Sequence, residues 1–388
     1  MTEGAAGAVE RIRAWGEARD WCGYDPYDGL SSPAARLLTL GSPLGRRVLT
    51  QAVKLSPVNV RPALGIGPDW NAKALGLVAS GYARLAAAHG DASARVQAAR
   101  WLGWLAEHPT GGSGEFAWGY PFPVQTRFFA YAAGTPNTIA TSFVAHALLD
   151  GVDLLDDDRW REPALGAARF LLSRMRADGY FRYVPGAEEL VHNANVLACG
   201  VLARSARLLG EDSLLEPVPA ALARTLDAQR EDGSWPYAEG ADGAWVDNFH
   251  TAYVLESLAL AKGLHPELEP RLTRGIDYWE RALFLADGTP KYTPERTHPV
   301  DAHCYASAID AWLAVRDVRP HGVARAEGLA QLLIGTMLDT EGYVHFQRRR
   351  FWTSRVPFVR WTTAPSFRAL AGLLLVQAGN GDADARLD

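Results

Sequence analysis

Asp232-Gly233-Ser234-Trp235-Pro236-Tyr237 is the most complete copy of a loop pattern that recurs through this sequence. Five loops that follow a predicted helix place an aromatic residue four positions after a glycine: Gly114/Trp118, Gly179/Tyr183, Gly233/Tyr237, Gly288/Tyr292 and Gly342/Phe346. In the last four, an acidic residue directly precedes the glycine. These four glycines lie 54, 55 and 54 residues apart. A repeat of this length is typical of one helical hairpin with a decorated loop.

The segments between these loops predict pairs of helices. Inner helices are expected to begin near six positions: Asn71, Asn137, Asn193, Asn248, Asp301 and Trp361. Outer helices are expected to end near five: Glu107, Arg176, Arg230, Leu285 and Leu338. The sixth inner helix, 361–377, has no partner in its own repeat, so the N-terminal helical run 4–19 must supply one. The sequence therefore predicts an all-α (α/α)6 toroid in one domain, 1–379, followed by a disordered tail, 380–388.

Composition narrows the class of partner. The formal net charge of the 388 residues is -5, so there is no overall positive field for nucleic acid. No apolar run reaches the roughly 18 residues of a membrane span, and no signal peptide is evident. We therefore expect a cytoplasmic protein. Its three cysteines are far apart and form no CxxC motif, which predicts reduced, buried thiols.

The starts of the inner helices should surround one funnel mouth, because each outer helix returns the chain to the same rim. Polar capping residues are expected there. Histidines are not, yet three of the six starts carry one, His192, His250 and His303, in a chain with ten histidines. The positive end of a helix dipole disfavours a protonated imidazole. A neutral imidazole is what a general base or a metal ligand requires.

Two of these helix starts combine a histidine with an aspartate. Asp247 and His250 are three residues apart and share a helical face, although Asp247 alone is equally typical of a helix cap. Asp301 and His303 are two residues apart and cannot share a face, so we expect His303 to line the cavity while Asp301 caps or packs. A larger set of polar residues at helix starts would contact sugar hydroxyls or a carboxylate: Asn137, His192, Asn193 and Asn195.

An inserted loop and an arginine-rich segment add candidate ligand contacts. Trp118 and Tyr120, with Gln125 and Arg127, mix aromatic planes with donors, as in a carbohydrate subsite, unless the loop simply packs over the toroid. From Gly342 to Gln377 there is no acid, but there are six arginines, and Arg360 and Trp361 lie at the last helix start. This cluster favours an anionic ligand such as a uronate, a sugar phosphate or a diphosphate, or else forms a solvated positive face.

The segment 229–235 resembles the Q-x3-G-x-W repeat of squalene cyclases and protein prenyltransferase β-subunits, which are α/α toroids. More of the chain resembles a poorly characterised bacterial family of squalene-cyclase-like toroids associated with capsule and exopolysaccharide biosynthesis. The resembling segments are 27–30, 118–120 with Gln125 and Arg127, 134–138, 247–257, 288–292 and 299–310. This resemblance implies the toroid fold and a context in polysaccharide biosynthesis, and it assigns no reaction.

Cyclase and prenyltransferase chemistry is poorly matched by the residues themselves. The run 153–158 reads DLLDDD and completes neither the DxDD nor the DDxxD motif. Zinc binding of the prenyltransferase kind would need Asp301 and Cys304 with His250 or His303. We expect no metal or other cofactor. Walker, HExxH, GxSxG and GxGxxG motifs are absent from the sequence.

The leading hypothesis is a carbohydrate-active enzyme of polysaccharide or glycoconjugate biosynthesis that acts on a small acidic sugar or oligosaccharide. As a lyase or epimerase, it would use His250 or His303 as base and Tyr24 or Tyr120 as acid. Arg127 or Arg360, with Asn193 or Asn195, would then hold the substrate carboxylate. As a hydrolase, it would pair Asp247 with Asp28 or Asp301.

Two alternatives remain open from the sequence. An isoprenoid cyclase or prenyltransferase would use the aromatic funnel and the arginines for a diphosphate, and an apolar lining throughout would favour it. A non-catalytic glycan-binding protein would have an open groove in which Asp247, His250 and His303 are exposed and distant from one another. The oligomeric state is left undetermined.

Overall fold

A computed structural model describes residues 4–112 and 114–384. Its helices are α1 (Ala5–Glu17), α2 (Ala35–Thr39), α3 (Pro43–Leu55), α4 (Ala72–His89), α5 (Ala92–Glu107), α6 (Thr138–Leu154), α7 (Arg161–Leu172), α8 (His192–Leu209), α9 (Val218–Asp227), α10 (Asn248–Leu260), α11 (Leu268–Ala282), α12 (Ala302–Ala314), α13 (Gly322–Met337) and α14 (Ala364–Asp384). Short strands form a hairpin, β1 (Val124–Gln125) with β2 (Ala130–Tyr131), and an antiparallel sheet, β3 (Val300–Asp301), β4 (Gln347–Arg348) and β5 (Thr353–Ser354).

The helices form a closed double ring. The inner ring is α4, α6, α8, α10, α12 and α14, each packed on the next, and α14 closes the ring against α4. The outer helices are α5, α7, α9, α11, α13 and α1. Helix α1 packs on α14 and α13, so the N-terminal helix completes the sixth hairpin. The predicted (α/α)6 toroid is confirmed.

The last helix overlaps the segment 380–388, for which the sequence predicts a disordered tail. Helix α14 runs to Asp384, five residues into the segment that was expected to be a disordered tail. Residues 385–388 lie outside the described residues. None of the helices within the described ranges is long and apolar enough to cross a membrane.

The glycines of the repeated loops adopt a backbone conformation that other residues avoid. All five have φ between 86° and 100°, a region open to glycine because it has no Cβ. At Gly233 there is also no room, since a Cβ would lie 2.5 Å from the carbonyl oxygen of Arg274 in α11. The recurring glycine is therefore a requirement of the turn that brings each outer helix back to the mouth.

In the last four of these loops, the aromatic residue is tied to the preceding inner helix through its backbone. Its carbonyl oxygen accepts a hydrogen bond from an N–H at the start of that helix. Four such bonds are present: Thr138 to Tyr183 (2.9 Å), His192 to Tyr237 (3.0 Å), Asn248 to Tyr292 (3.0 Å) and Ala302 to Phe346 (3.2 Å). Because the first N–H groups of a helix have no partner within the helix, these bonds satisfy them and fix the loops in place.

The Q-x3-G-x-W motif has a structural role. The side-chain amide of Gln229 donates to the carbonyl oxygens of Gly233 (3.0 Å) and Arg271 (2.9 Å), which joins the loop to α11. The Trp235 indole donates to the Thr225 carbonyl oxygen (2.9 Å) and fills the space that Gly275 leaves open, where a Cβ would lie 2.2 Å from its ring. The motif therefore holds one hairpin against the next.

Charged side chains of the inner helices meet inside the ring, roughly one to three turns below the helix starts. Each inner helix contributes one: Arg84, Asp150, Arg204, Glu256, Asp310 and Arg368. Arg368 donates to Asp310 (2.8 Å) and Glu256 (2.9 Å), and Arg84 also donates to Asp310 (2.8 Å). Arg204 pairs with Asp150 (2.7 Å). Arg368 is therefore paired with acids of the inner helices, which corrects its assignment to an anion-attracting cluster at the mouth.

Substitution of Gly233 by alanine tests the requirement of the loop. We expect Gly233→Ala to lower the free energy of unfolding by about 2 kcal/mol or more, because alanine is strained at positive φ and its Cβ meets the Arg274 backbone. Gly328→Ala, inside α13 with open space around it, should be neutral or stabilising by up to about 1 kcal/mol. Urea unfolding of both variants measures the difference; equal values would contradict this account.

Substitution of Asp310 tests the buried charge network. Asp310→Asn leaves Arg84 and Arg368 short of an anionic partner, and we expect a loss of about 3–5 kcal/mol in the free energy of unfolding. The matched control is Asp277→Asn, which breaks the exposed ion pair with Arg319 and should cost less than about 1 kcal/mol. A cost for Asp310→Asn as small as the control's would show that the network is not coupled.

Candidate functional site at the mouth of the toroid

Asp247 and His250 form a hydrogen-bonded pair at the start of α10. One carboxylate oxygen of Asp247 caps the helix by accepting from the His250 N–H (2.9 Å), and the other contacts Nδ1 of the same histidine (2.8 Å). A carboxylate can only accept, so in the neutral imidazole the proton lies on Nδ1 and the Nε2 lone pair is free. Asp247 is therefore both a cap and the group that orients a base.

The surroundings of His250 are aromatic and partly open. Its side chain is 21% exposed and shares a narrow cleft with Asn193, Trp235 and Tyr237. The Tyr237 ring lies 4.7 Å from the imidazole and stacks on the half-exposed Trp245 at 4.4 Å. Asn193 is buried, and its side-chain oxygen has no hydrogen-bond partner in the described part of the chain. Aromatic faces and an unpaired amide oxygen suit a sugar ring and its hydroxyls.

His303 is held differently, with both ring nitrogens in use. Nδ1 donates to the Trp361 carbonyl oxygen (2.7 Å), so Nε2 accepts from the Tyr253 hydroxyl (2.6 Å). The ring stacks on Trp361 with centroids 4.5 Å apart and is only 1% exposed. Burial lowers the pKa of His303 well below its usual value. His303 is therefore a neutral residue of the interior, and it does not belong to the lining of the cleft around His250.

Asp301 caps α12 and is saturated with donors. It accepts from the His303 N–H (2.9 Å), the Gln347 amide (2.7 Å) and the Trp361 indole (3.1 Å). Burial raises the pKa of this carboxyl group, and these donors oppose the rise. Asp301 therefore fixes β4 and the start of α14, and it has no oxygen directed to a substrate.

Lys73, in the first turn of α4, is a buried amine that sequence reasoning missed. Its Nζ lies 4.0 Å from the ring centroid of Phe143 and 5.2 Å from that of Tyr253. Burial lowers its pKa well below the usual value. In the sequence, the indication that this lysine is buried was its position between the capping Asn71 and an apolar run.

A second cavity, of about 260 Å³, lies between the N-terminal segment and the start of α14. Its polar lining includes Tyr24, Asp25, Asp28, Asn71 and Arg360, and Phe122 adds an aromatic wall. This is the larger of the two described openings near the mouth.

The charges of this cavity are paired with one another. Both carboxylate oxygens of Asp25 accept from Arg360, one at 2.7 Å. Arg61 donates to Asp28 at 2.7 and 2.9 Å. Burial raises the pKa of Asp28 to about 6, although the Arg61 guanidinium opposes the rise. Arg360 is thus already neutralised by Asp25, a residue that sequence reasoning missed although it stands beside the predicted Tyr24 and Asp28.

The inserted loop mostly packs over the toroid. Trp118 is fully buried, and its indole donates to the Leu105 carbonyl oxygen (3.1 Å). Tyr120 stacks on Phe122, with the Arg360 guanidinium 4.9 Å from its ring centroid. These contacts favour the packing alternative for both aromatic residues. Gln125 lies in β1, where its amide donates to the neighbouring Thr126 carbonyl oxygen (3.3 Å), and Arg127 is exposed.

Three further candidate residues have structural roles, because they cap a helix or join two neighbouring helices. Asn137 caps α6 by accepting from the Ala140 N–H (2.8 Å). The Asn195 amide donates to the Ala221 carbonyl oxygen (2.7 Å) and the Thr225 hydroxyl (3.0 Å) of α9. His192 also contacts Thr225 (3.3 Å). This corrects the expectation that Asn195 and His192 face the mouth, because their side chains fill the space between α8 and α9. Among the described residues, no group of three or more metal-ligating side chains could hold a metal ion.

Comparison with solved structures identifies other proteins of this shape. An unsaturated glucuronyl hydrolase from Bacillus sp. GL1 superposes with a TM-score of 0.67 at 15% identity, over 98% of this chain and 97% of that one. A D-mannose isomerase (TM-score 0.60, 11% identity, 79% and 87% covered) and a cellobiose 2-epimerase from Bacillus thermoamylovorans (0.60, 9%, 79% and 87%) also match. No protein-family model and no curated sequence matches the chain. At these identities the similarity shows a shared fold.

The buried histidines predict a pH dependence of stability. Burial lowers the pKa of His192 to about 4, while an unfolded histidine titrates near pH 6.5. The unfolded state therefore binds the proton first, and stability is lost as the pH falls from about 6.5 towards 4. His192→Leu should reduce this loss by about 1 kcal/mol per pH unit between pH 6 and pH 5. Urea unfolding at several pH values tests it, with the exposed His89→Leu as a control that should leave the slope unchanged.

Proposed function

We propose that this protein is a carbohydrate-active enzyme that abstracts a proton from a sugar, with His250 as the base. The observation that carries the proposal is the contact of His250 Nδ1 with Asp247, which in the neutral imidazole places the proton on Nδ1 and the lone pair on Nε2, in an aromatic cleft. Tyr237 and Trp245 offer faces for the sugar ring, and Asn193 offers an acceptor for a hydroxyl. The match to toroids described as an epimerase and an isomerase supports the same class of chemistry.

The chemistry follows from the position of the free lone pair. Nε2 would take the proton from a carbon next to a carbonyl or carboxyl group, and the electron pair would move onto that group as an enolate. A proton delivered from solvent to the opposite face gives an epimer, and the imidazolium then releases the abstracted proton to solvent. Alternatively, a substituent leaves the neighbouring carbon with the C–O bond electrons and takes the proton of the imidazolium, which gives an unsaturated sugar and an alcohol or water. Asp247 would stabilise the imidazolium formed in between, so it is a positioning residue.

The cleft must widen before a sugar can enter. Its volume is about 10 Å³, room for roughly one water molecule. Trp245 is 39% exposed and belongs to the loop before α10, so its movement away from Tyr237 would open the cleft above His250. A sugar ring that stacks on the Trp245 indole would take the place of the Tyr237 ring, which stacks there in this structure.

Hydrolysis by a carboxylate pair has less support in this arrangement. Both oxygens of Asp247 are engaged by His250, Asp28 is held by Arg61, and Asp301 accepts three hydrogen bonds. A general acid or a nucleophile needs an oxygen directed to the substrate. The proposal therefore rests on the imidazole rather than on two carboxylates.

The structure also bears on the substrate and on the two alternatives. Arg360 and Arg368 are neutralised within the protein, so the proposal does not depend on an acidic sugar. Exposed Arg127 is the arginine that an acidic sugar would use.

The larger cavity has a polar lining rather than the apolar one expected of an isoprenoid cyclase. Asp247 and His250 are in contact, unlike the dispersed residues expected of a binding protein. The resemblance to capsule-associated toroids supports a substrate from polysaccharide assembly, and a cytoplasmic location stays a prediction.

Proton abstraction can be detected without knowing the product. Reducing disaccharides and uronate-containing oligosaccharides would be incubated with the protein in D2O, and deuterium incorporation would be read by mass spectrometry. We expect incorporation with one sugar class, and a loss of about 100-fold or more in His250→Gln. The exposed His89→Gln should retain full activity. Full activity of His250→Gln on the substrate that exchanges would refute the role of this histidine.

Asp247→Asn separates capping from catalysis. Asparagine caps a helix about as well as aspartate, so the free energy of unfolding should change by less than about 1 kcal/mol. An amide that donates to Nδ1 would move the imidazole proton to Nε2, however, and the exchange rate should fall by about 100-fold or more. A variant that keeps both its stability and its activity would show that Asp247 is only a cap.

A further inference from the structure

Helices α2 and α3 lie outside the double ring and expose a large apolar surface. Five of its side chains are more than half exposed: Leu37 (77%), Leu38 (54%), Leu40 (87%), Leu44 (64%) and Val48 (59%). They fall within 12 consecutive residues, around the turn that joins the two helices. Single exposed leucines are ordinary, but a contiguous apolar patch marks an interaction surface. We call these five residues the leucine patch.

Helix α3 presents an apolar face to solvent. Leu44, Val48 and Leu55 follow one another at helical spacing and are all exposed, whereas Thr50 and Val53 point inward. A helix that served only to cover the toroid would turn its apolar side chains inward and its polar ones outward. The exposed face of α3 is therefore suited to contact with an apolar partner.

The segment of sequence that carries the leucine patch has charges of one sign. Between Asp28 and Asp69 the chain has no acidic residue, although the whole protein carries a net charge of -5. The basic residues there are Arg36, Arg46, Arg47, Lys54 and Arg61, of which Arg61 is buried against Asp28. The remaining cations flank the apolar side chains. Their partner must therefore combine an apolar interior with negative charge at its edge.

We propose that the leucine patch docks this protein on the surface of an anionic lipid membrane. Leucine and valine side chains would enter the boundary between headgroups and acyl chains, to a depth of roughly 5–10 Å, while Arg36, Arg46 and Arg47 contact lipid phosphates. A second copy of the chain is a poorer partner. A symmetric contact would bring these same cations together with no acid between them.

Docking through this surface would also hold the mouth of the toroid near the membrane. Lys54, at the end of α3, donates to the Tyr27 hydroxyl (2.8 Å). Its Nζ lies 5.7 Å from the ring centroid of Trp361, which packs at the start of α14. Helix α3 is therefore fastened to the rim on which the inner helices begin. Glycans on membrane-anchored carriers would be presented to that rim.

Sedimentation with lipid vesicles tests the docking proposal. We expect the full chain to bind vesicles of phosphatidylcholine mixed with phosphatidylglycerol, and to bind phosphatidylcholine alone much more weakly. The triple variant Leu40→Ser/Leu44→Ser/Val48→Ser should lose at least about 10-fold in affinity. The affinity of Arg46→Gln/Arg47→Gln for these vesicles should fall about fivefold per charge removed. Added salt should likewise weaken vesicle binding by the wild type.

The controls make each outcome decisive. Val96→Ser removes a similarly exposed side chain from α5 and should leave binding unchanged, and circular dichroism checks that all variants are folded. Unchanged binding of the triple variant, or equal binding of the wild type to both lipids, would overturn the proposal. A dimer seen by size-exclusion chromatography and abolished by the triple variant, without lipid binding, would assign the leucine patch to a second copy instead. Proton exchange in solution is measured separately and tests only the proposed catalytic function.

Discussion

The architecture depends on one recurring hydrogen bond between the loops and the inner helices. An N–H at the start of an inner helix donates to the carbonyl oxygen of the aromatic residue in the next loop along the chain, as Asn248 does to Tyr292. Helix starts always leave N–H groups without partners in the helix, and burying them unpaired is costly. At four of the described inner helices this bond removes that cost, and it ties each of these hairpins to the loop that leads to the next one. The positive φ of glycines such as Gly233 is what allows the loop to present the carbonyl there.

The same need for partners explains why most polar residues at the mouth serve structure. Asn137 and Asp301 supply side-chain oxygens to N–H groups that the loops do not reach, and Asn195 joins neighbouring helices. His303 is locked between a carbonyl oxygen and a tyrosine hydroxyl. His250 differs because, among the described residues, only its Nδ1 has a hydrogen-bond partner, and that partner, Asp247, is also the helix cap. Capping and orientation of a base are thus combined in Asp247.

In the interior, opposite charges are in contact with one another, whereas on the surface around α3 charges of one sign are grouped together. Asp25 with Arg360, and Asp310 with Arg368, place opposite charges in contact because an isolated buried charge would be far more costly. On the surface the opposite arrangement holds around α3, where cations flank exposed leucines and acids are absent. An arginine-rich segment therefore does not by itself indicate an anion site, since its meaning depends on which arginines have partners.

The fold was predictable from the amino-acid sequence, because its signals are local. Gly179, Gly233, Gly288 and Gly342 recur at a regular spacing because each one permits a turn with positive φ. The number of predicted helices then requires α1 to close the ring. The chemistry of the mouth was only partly predictable. The pairing of Asp247 with His250 spans three residues and follows from helical geometry. The pairing of Asp25 with Arg360 joins residues 335 positions apart and exists only once α14 has closed against α4. Which nitrogen, oxygen or guanidinium stays free is decided by such distant neighbours, and so by the tertiary structure alone.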